Sequence, residues 1–287
     1  MRYENPTTIE NAVDLLVGSE GPAFVLAGGT DLLVRMKADH FDADLVVDLK
    51  SIAGMDQIHE TADGFVIGAA VPCAALGEHA ALVAAWPGVV EAANLIGSTQ
   101  IQSRCTISGN LCNASPAADS VPAMVAANAH ARIVGPKGAR TVAVVDIPTA
   151  PGKTSLAKGE IIEAVLLPKP EAHSGDAYLR FTPRTEMDIA VVGAAVSLTV
   201  DAEGTVQTAR VALGAVAPSV LTVDTAETAL VGSMLDDATL KAVEAACAAA
   251  SNPIADKRGT VEFRNQVAGV LGRRAAALAY TRAGGTQ

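Results

Sequence analysis

The chain has 287 residues, of which 50% are hydrophobic, and a formal net charge of −10 at pH 7. This apolar content can bury roughly two domain cores and excludes an intrinsically disordered chain, because disorder requires few hydrophobic residues. The acidic balance repels phosphate backbones, and one Trp, three Tyr and five Phe provide no platform for base stacking, so nucleic-acid binding is disfavoured.

Membrane insertion and secretion are also disfavoured. No apolar run reaches the ~18 residues that a membrane helix needs, so no integral membrane segment is expected. The first residues, MRYENP, lack the apolar core of a signal peptide. Cys73, Cys105, Cys112 and Cys247 form no Cys-x-x-Cys pair, which predicts no metal site in this chain and reduced thiols in the cytoplasm.

Hydrophobic periodicity predicts mixed helices and strands through the first 170 residues. Amphipathic spacing predicts helices, the first of them capped by Thr8, over 9–16, 32–37, 74–85, 89–97 and 119–128. Apolar runs bounded by turn residues predict strands over 23–26, 45–49, 64–68, 131–134, 141–145 and 161–167. Trp86-Pro87-Gly88 is expected to end the third helix, and 98–104 to form a polar connector.

The C-terminal third follows a different pattern. Pro168-Lys169-Pro170 is the best candidate for a domain boundary. After it, apolar strands are predicted over 190–200 and 205–216, and helices over 236–250 and 261–282. The predicted fold class is α+β.

Two glycine-containing turns are the candidates for a binding site. The first, AGGTD at 27–31, ends a predicted strand, and its glycines let successive backbone N–H groups converge on an anion. The second, TISGN at 106–110, offers two hydroxyls, a glycine and an amide. Each turn alone is more often a plain chain reversal, but two together suit a diphosphate. Because the chain is acidic, backbone N–H groups rather than a Lys or Arg clamp should hold that anion.

Familiar nucleotide and catalytic signatures are absent from the sequence. No Gly-x-Gly-x-x-Gly follows a strand, which argues against a Rossmann site. Gly152-Lys153-Thr154 resembles the end of a P-loop, but Ile147 stands where the first glycine is required. No Gly-x-Ser-x-Gly occurs, and no histidine lies in a catalytic motif. No catalytic residue is therefore assigned, and any reaction would depend on a bound cofactor.

Several segments together match one known pattern in order. They are YENPTTIENA at 3–12, AGGTDL at 27–32, Met36-Lys37, TISGN at 106–110, and ASP at 114–116 followed by Asp119. This set resembles the FAD-binding medium subunit of the xanthine dehydrogenase/carbon monoxide dehydrogenase family of molybdenum hydroxylases. The resemblance covers essentially the whole chain.

The resemblance implies a two-lobed FAD-binding domain of the vanillyl-alcohol-oxidase (PCMH) type, followed by a smaller domain of sheet and helices. The FAD-binding domain would occupy 1–170, with lobes of about 1–52 and 53–170. The C-terminal domain, similar to that of the carbon monoxide dehydrogenase flavoprotein, would occupy 171–287.

The resemblance also implies which residues bind FAD. The first turn would wrap the pyrophosphate, the second would contact it from the other lobe, and the later positions would lie near the adenine, the polar middle and the flavin. The implied residues are Val25, Leu26, Ala27, Gly28, Gly29, Thr30, Asp31, Leu32, Ile96, Thr106, Ser108, Gly109, Asn110, Ser115, Asp119, Ile162, Arg180 and Asp188. Ser108 departs from the pattern, because the family usually has glycine there. If that position needs φ > 0 or very close phosphate approach, serine is unfavourable there; otherwise its hydroxyl adds a donor.

By the same resemblance, the chain is one subunit of an oxidoreductase. A large partner subunit would carry molybdopterin and oxidise the substrate, and a small partner would carry two [2Fe–2S] clusters. This chain would take electrons from the nearer cluster onto FAD and pass them to an external acceptor. The expected assembly is a dimer of heterotrimers in the cytoplasm, either free or at the inner face of the membrane through its acceptor.

Two other functions remain open at this stage. A self-contained flavoenzyme of the same FAD fold, such as a reductase of the cell-wall precursor type, would need its own acid–base residue near the flavin. A non-enzymatic scaffold would use the glycine turns merely as turns. The sequence does not choose among CO, N-heterocycles, purines and aldehydes as the substrate of the holoenzyme.

Overall fold

The structure is a computed structural model that describes residues 1–185 and 187–285; Glu186, Thr286 and Gln287 lie outside the described residues. It confirms the predicted α+β class: three main sheets follow one another along the chain, with helices packed between and against them. Among the described residues, no helix is both long and apolar enough to span a membrane.

The first sheet is parallel, with strand order β1-β3-β2. Its elements are β1 (Arg2–Glu4), α1 (Ile9–Gly18), β2 (Ala23–Leu26), α2 (Leu32–Lys37) and β3 (Leu45–Asp48). All four residues of β3 are buried, which fits the apolar run Leu45-Val46-Val47 of the middle strand; the fourth residue, Asp48, is a buried carboxylate. The predicted cap of α1 is confirmed, since Thr8 Oγ1 accepts a hydrogen bond from Asn11 N at 3.3 Å.

The second sheet is antiparallel, with strand order β4-β5-β10-β6-β7. The elements of this region are β4 (Ile58–Thr61), β5 (Gly64–Gly68), α3 (Cys73–Glu78), α4 (Ala80–Ala85), α5 (Pro87–Ala93), α6 (Thr99–Gln102), α7 (Ile107–Cys112), α8 (Ser120–Ala126), β6 (His130–Gly135), β7 (Gly138–Ala143), a 3-10 turn (Val144–Asp146), β8 (Pro148–Ala150), β9 (Lys153–Thr154) and β10 (Ile161–Pro168).

Three predictions for this region are wrong in detail. The helix expected over 74–85 is two helices, because His79 leaves the helical conformation and its Nδ1 caps α4 by accepting from Leu82 N at 3.2 Å. α4 ends at Ala85 as predicted, but the helix expected over 89–97 is α5, which begins earlier because Pro87 suits the first helical position, where no N–H is needed, and ends at Ala93. The polar connector over 98–104 contains α6.

The third sheet is antiparallel, with strand order β11-β12-β13-β14. Its elements are β11 (Ser174–Phe181), β12 (Val192–Val200), β13 (Val206–Gly214), β14 (Leu221–Thr222), α9 (Asp224–Leu230), α10 (Asp237–Ala250) and α11 (Val261–Arg282). The middle strands have helices on both faces: Ala195 belongs to the core around α5 and α8, whereas Val196 belongs to the core under α10 and α11. Small apolar side chains let helices approach both faces, which accounts for the abundance of Ala and Val.

The helices α5 and α8 form a layer shared by the second and third sheets, here called the shared layer. Polar contacts cross it. Asp176 Oδ2 on β11 accepts from Val89 N at 3.1 Å, and Trp86 Nε1 donates to Pro168 O at 2.8 Å. The second and third sheets are therefore held together by a continuous apolar core, one buried hydrogen bond and one partly buried hydrogen bond.

Removing a side chain from the shared layer should destabilise the whole chain. Met124 on α8 is fully buried, so Met124→Ala should lower the free energy of unfolding by about 2–5 kcal/mol through lost burial and an unfilled cavity. Met234→Ala is the matched control, because Met234 is 58% exposed and should change stability by less than about 0.5 kcal/mol. Urea unfolding measures both, and equal effects of the two substitutions would contradict the packing.

Asp176 should make stability depend on pH. Burial raises the pKa of Asp176 to about 6, although N–H groups of Gly88 and Val89 and the charge of Arg282 offset part of the rise. Between about pH 4 and about pH 6 the native state keeps a proton that the unfolded state loses, so this group's contribution to stability falls as pH rises. Asp176→Asn removes this contribution, so between about pH 4 and about pH 6 the free energy of unfolding should decrease less steeply with pH, by up to ~1.4 kcal/mol per pH unit. Urea unfolding at several pH values measures this slope. An unchanged slope would show that the carboxyl is ionised throughout.

Candidate functional site

The two glycine-containing segments, far apart in sequence, line one cavity of about 270 Å³. The first enters from the end of β2, and the second from the start of α7. The sequence-predicted residues that line it are Val25, Ala27, Gly28, Gly29, Thr30, Asp31, Leu32, Ile96, Thr106, Ser108, Gly109, Asn110 and Ile162. The structure therefore brings most of the predicted site residues together.

Glycine is required where the two segments meet. A Cβ on Gly28 would lie 2.1 Å from the carbonyl oxygen of Arg104, so only glycine lets these backbones approach so closely. The next residue, Gly29, has φ +76°, a left-handed conformation that other residues rarely adopt. Both glycines are thus used for backbone geometry, and they bring the first segment against the residues that precede Thr106.

The first segment presents unpaired donors. Within residues 1–185 and 187–285, no protein group accepts a hydrogen bond from the backbone N–H of Gly28, Gly29 or Thr30. Backbone donors of a turn are normally satisfied, so these three suit an anionic ligand. The lining contains one cationic side chain, Arg35, and two carboxylates, Asp31 and Glu160. The composition of the lining therefore favours backbone donors over a cationic clamp.

The second segment is the start of a helix and not the turn that the sequence suggested. Thr106 is the N-cap of α7: its Oγ1 accepts from Gly109 N at 2.9 Å. Asn110 Oδ1 accepts from Ser120 Oγ at 2.7 Å and thereby fixes α7 against the start of α8. The threonine hydroxyl and the asparagine oxygen are thus engaged in holding the helix, and of the first-turn N–H groups only those of Ile107 and Ser108 have no acceptor among the described residues.

Ser108 lies in this helix with a negative φ, so its side chain causes no left-handed strain. Its hydroxyl is buried and donates to the carbonyl oxygen of Ala69, and it lies 3.2 Å from Thr106 Oγ1. The serine is accommodated by a bond to the protein interior. The sequence left open whether serine at this position causes backbone strain or adds a donor. The backbone strain is absent, and the hydroxyl donor of Ser108 is already used by the Ala69 carbonyl.

Comparison with known proteins assigns the fold. Residues 1–170 match the FAD binding domain in molybdopterin dehydrogenase, and residues 177–279 match the CO dehydrogenase flavoprotein C-terminal domain. The chain is 36% identical over 281 residues to the carbon monoxide dehydrogenase medium chain of Afipia carboxidovorans, covering 98% of this chain and 97% of that one. It belongs to the FAD-binding medium subunits of the molybdenum hydroxylases.

Other members support the same assignment. The putative xanthine dehydrogenase FAD-binding subunit of Escherichia coli is 30% identical over 285 residues, which cover 99% of this chain and 97% of that one. The structure of reconstituted CO dehydrogenase from Oligotropha carboxidovorans matches with a TM-score of 0.94 at 34% identity, and 98% of each chain is covered. The family resemblance and the α+β fold that the sequence predicted are confirmed.

The cavity fits the cofactor of this family. FAD carries a diphosphate, and the unpaired N–H groups of Gly28, Gly29 and Thr30 form the kind of cradle that phosphate oxygens need. Ile96 and Ile162 add apolar surface to the lining. Within the described residues, no group of three or more His, Cys, Asp or Glu side chains is arranged to hold a metal ion.

Asp119 and Arg180, both predicted site residues, lie outside the cavity lining and pair with each other. Arg180 donates to Asp119 Oδ2 at 2.9 Å, and Tyr178 Oη donates to Oδ1 at 3.0 Å. Burial raises the pKa of Asp119 to about 6, and the charge of Arg180 and the bond from Tyr178 offset part of the rise. The pair joins the start of α8 to β11, and its predicted contact with FAD stays a prediction.

The other predicted residues outside the lining are engaged locally. Leu26 is buried in β2, and Ser115 Oγ accepts from Ala117 N at 3.3 Å. Asp188 accepts from Ile189 N at 2.8 Å and from Arg184 Nε at 3.4 Å. The bond from Ile189 N, reinforced by Arg184, lowers the pKa of Asp188, so this carboxylate holds its own loop.

Sequence reasoning missed part of the lining. The additional residues are Ala23, Phe24, Arg35, Leu49, Ala69, Cys105, Cys112, Asn113, Leu156, Glu160 and Ile161. Several could have been inferred from neighbours: Phe24 precedes the first segment in β2, and Cys105 precedes the cap Thr106. Leu156 and Glu160 carry no local signal, because they reach the cavity from the connection before β10.

Gly28→Ala should weaken FAD binding roughly tenfold or more, because the new methyl group would overlap the Arg104 carbonyl and separate the two segments. Gly18→Ala is the control: a Cβ there meets no atom within 4 Å, and Gly18 only ends α1. Fluorescence titration of the apoprotein with FAD measures both. Wild-type affinity in Gly28→Ala would contradict the required close approach.

Proposed function

We propose that this chain is the electron-transfer subunit of a molybdenum hydroxylase. In this proposal it takes electrons from a [2Fe–2S] cluster of a small partner subunit onto FAD and passes them to an external acceptor. The observation that carries the proposal is the convergence of two glycine-containing segments on one cavity, in whose lining the N–H groups of Gly28, Gly29 and Thr30 find no acceptor among residues 1–185 and 187–285. The relatives of this chain also support the proposal, because they include the medium chain of a carbon monoxide dehydrogenase and a putative xanthine dehydrogenase FAD-binding subunit.

When bound, FAD converts between one-electron and two-electron transfer. The residues of this chain would bind and orient it: the first segment and the start of α7 would hold the diphosphate, and Ile96 and Ile162 would pack against its apolar parts. We propose that Ala27 and Asp31 of the first segment, and the flanking residues Val25, Leu26 and Leu32, also bind FAD. Ser115, Asp119, Arg180 and Asp188 would contact the cofactor beyond this cavity. No residue of the chain is assigned to acid–base chemistry.

The holoenzyme would contain this chain, a molybdopterin-binding large subunit and a small subunit with two [2Fe–2S] clusters, arranged as a dimer of heterotrimers. The relatives include a carbon monoxide dehydrogenase medium chain and a putative xanthine dehydrogenase FAD-binding subunit, which supports oxidation of the substrate in another subunit and a substrate that differs among members. Four free cysteines support a cytoplasmic location, where thiols stay reduced. The holoenzyme would meet its external electron acceptor either in the cytoplasm or at the inner face of the membrane.

We also propose that the chain divides near residue 170. The FAD-binding domain would comprise 1–170, with lobes of about 1–52 and 53–170, and the C-terminal domain would comprise 171–287. The change from the second to the third sheet between Pro168 and Ser174 supports this division.

The test is to co-express the full chain with the large and small subunits and to follow the reduction of each centre by trial substrates such as CO, xanthine and an aldehyde. In the complex with wild-type chain, a substrate should reduce both the clusters and the flavin, and a dye acceptor should then be reduced. In the complex with FAD-depleted Gly28→Ala chain, substrate should still reduce the clusters, but acceptor reduction should fall to background.

Two outcomes would overturn the proposal. If the purified complex had no flavin absorbance band, the chain would not be an FAD-binding subunit of that complex. Turnover of a substrate by the isolated chain would instead identify a self-contained flavoenzyme.

A further inference from the structure

The carbonyl oxygen of Ala27, at the start of the first segment, is held by a lysine. Lys50 Nζ donates to Ala27 O at 3.1 Å and lies 2.7 Å from both carboxylate oxygens of Asp48. Asp48 is only 4% exposed, and it also accepts from Lys50 N at 3.0 Å and from Tyr3 Oη at 2.6 Å. A buried carboxylate at the end of β3 therefore fixes an ammonium group, and that group fixes one peptide of the glycine segment.

Asp48 keeps its charge in this arrangement. Burial acts to raise the pKa of Asp48, but the hydrogen bonds from Lys50 and Tyr3 outweigh it and lower the pKa below its ordinary value. The carboxylate is ionised near neutral pH and neutralises the ammonium of Lys50. The net charge that this pair presents to the cavity is consequently close to zero.

Because the peptide bond is planar, fixing the Ala27 carbonyl also fixes the direction of the Gly28 N–H at the cavity. In a planar trans peptide the C=O of Ala27 and the N–H of Gly28 point in opposite directions. Anchoring the carbonyl on Lys50 therefore directs the Gly28 N–H away from Lys50, and this N–H has no acceptor among the described residues. Ala27 and Gly28 both line the cavity, whereas Lys50 does not belong to the lining.

This peptide needs an anchor because two glycines follow it. Without Cβ atoms, the backbone at Gly28 and Gly29 has a wide choice of φ, so the preceding peptide could rotate at little steric cost. Each alternative orientation would turn a donor away from an anion. A fixed carbonyl removes that freedom before the ligand arrives, which reduces the ordering cost of binding.

We propose that Lys50 is a positioning residue for FAD: it fixes the Ala27–Gly28 peptide so that its N–H serves the diphosphate, and Asp48 holds Lys50 in place. The proposal rests on the proposed function, since it requires FAD in this cavity. Lys50 acts through the peptide and not by direct attraction, because Asp48 neutralises its charge.

Three variants of the full chain test the role of Lys50, with FAD as the probe and the fluorescence titration of apoprotein as the measurement. Lys50→Met keeps the aliphatic stem and loses the donor, so FAD binding should weaken roughly 5- to 30-fold. Lys50→Arg retains a charged donor and should restore most of the affinity. Lys158→Met is the matched control, because Lys158 Nζ donates to another backbone carbonyl, Ser19 O, at 2.7 Å.

Asp48→Asn separates positioning from direct attraction. If the charge of Lys50 attracted the diphosphate directly, removing the neutralising carboxylate would tighten FAD binding, most visibly at low salt. Positioning predicts weaker binding, similar to that of Lys50→Met, with little dependence on salt. The unfolding midpoint of each apoprotein is measured alongside, so that a loss of affinity is compared among variants that remain folded.

The outcomes are distinct. Weaker binding in Lys50→Met and Asp48→Asn, with rescue by Lys50→Arg and no change in Lys158→Met, supports the proposal. Wild-type affinity in Lys50→Met, or tighter binding in Asp48→Asn, overturns it while leaving FAD binding intact. Failure of the wild-type apoprotein to bind FAD would instead overturn the proposed function.

Discussion

The close approach of Gly28 to the backbone at Arg104 is the contact on which the site depends. It joins the end of the first sheet to the segment that leads into α7, and a methyl group in its place would meet a carbonyl oxygen at 2.1 Å. This approach places the first segment and the start of α7 in the lining of one cavity. The N–H groups of Gly28, Gly29 and Thr30 have no acceptor among the described residues and line the same cavity as the start of α7, whose polar side chains hold the helix in position.

Charged and polar side chains outside the cavity hold the backbone of the two segments that line it. Asp48, Lys50 and Tyr3 stabilise the first segment from the side of the parallel sheet, and Ser108 ties the second to the Ala69 carbonyl. An acidic chain can hold an anion in this way because the donors are amides whose orientation is fixed in advance. Few cationic side chains are then needed in the lining.

Elements that show a run of buried apolar residues could be predicted from the sequence. Elements and contacts that depend on partners distant in the sequence could not. The apolar runs of β3 and β12 and the glycine pair at 28 and 29 identified the strands and the first segment. In contrast, β1 and β11 lack a continuous apolar run, and α7 contains serine, glycine and asparagine, which are poor helix formers. The pair of Asp119 with Arg180 and the reach of Lys50 to Ala27 arise from elements brought together only by the fold.

The shared layer of α5 and α8 has a consequence for how the chain responds to heat. Because this layer belongs to the same apolar core as the second sheet and also covers one face of the third, the two sheets share part of their interior, and the layer cannot unfold without exposing both. A ligand that binds only the native state stabilises every part that unfolds with its site. Cofactor bound near β2 and α7 would therefore raise the temperature at which even the distant α11 is lost, wherever its loss accompanies unfolding of the shared layer and the site.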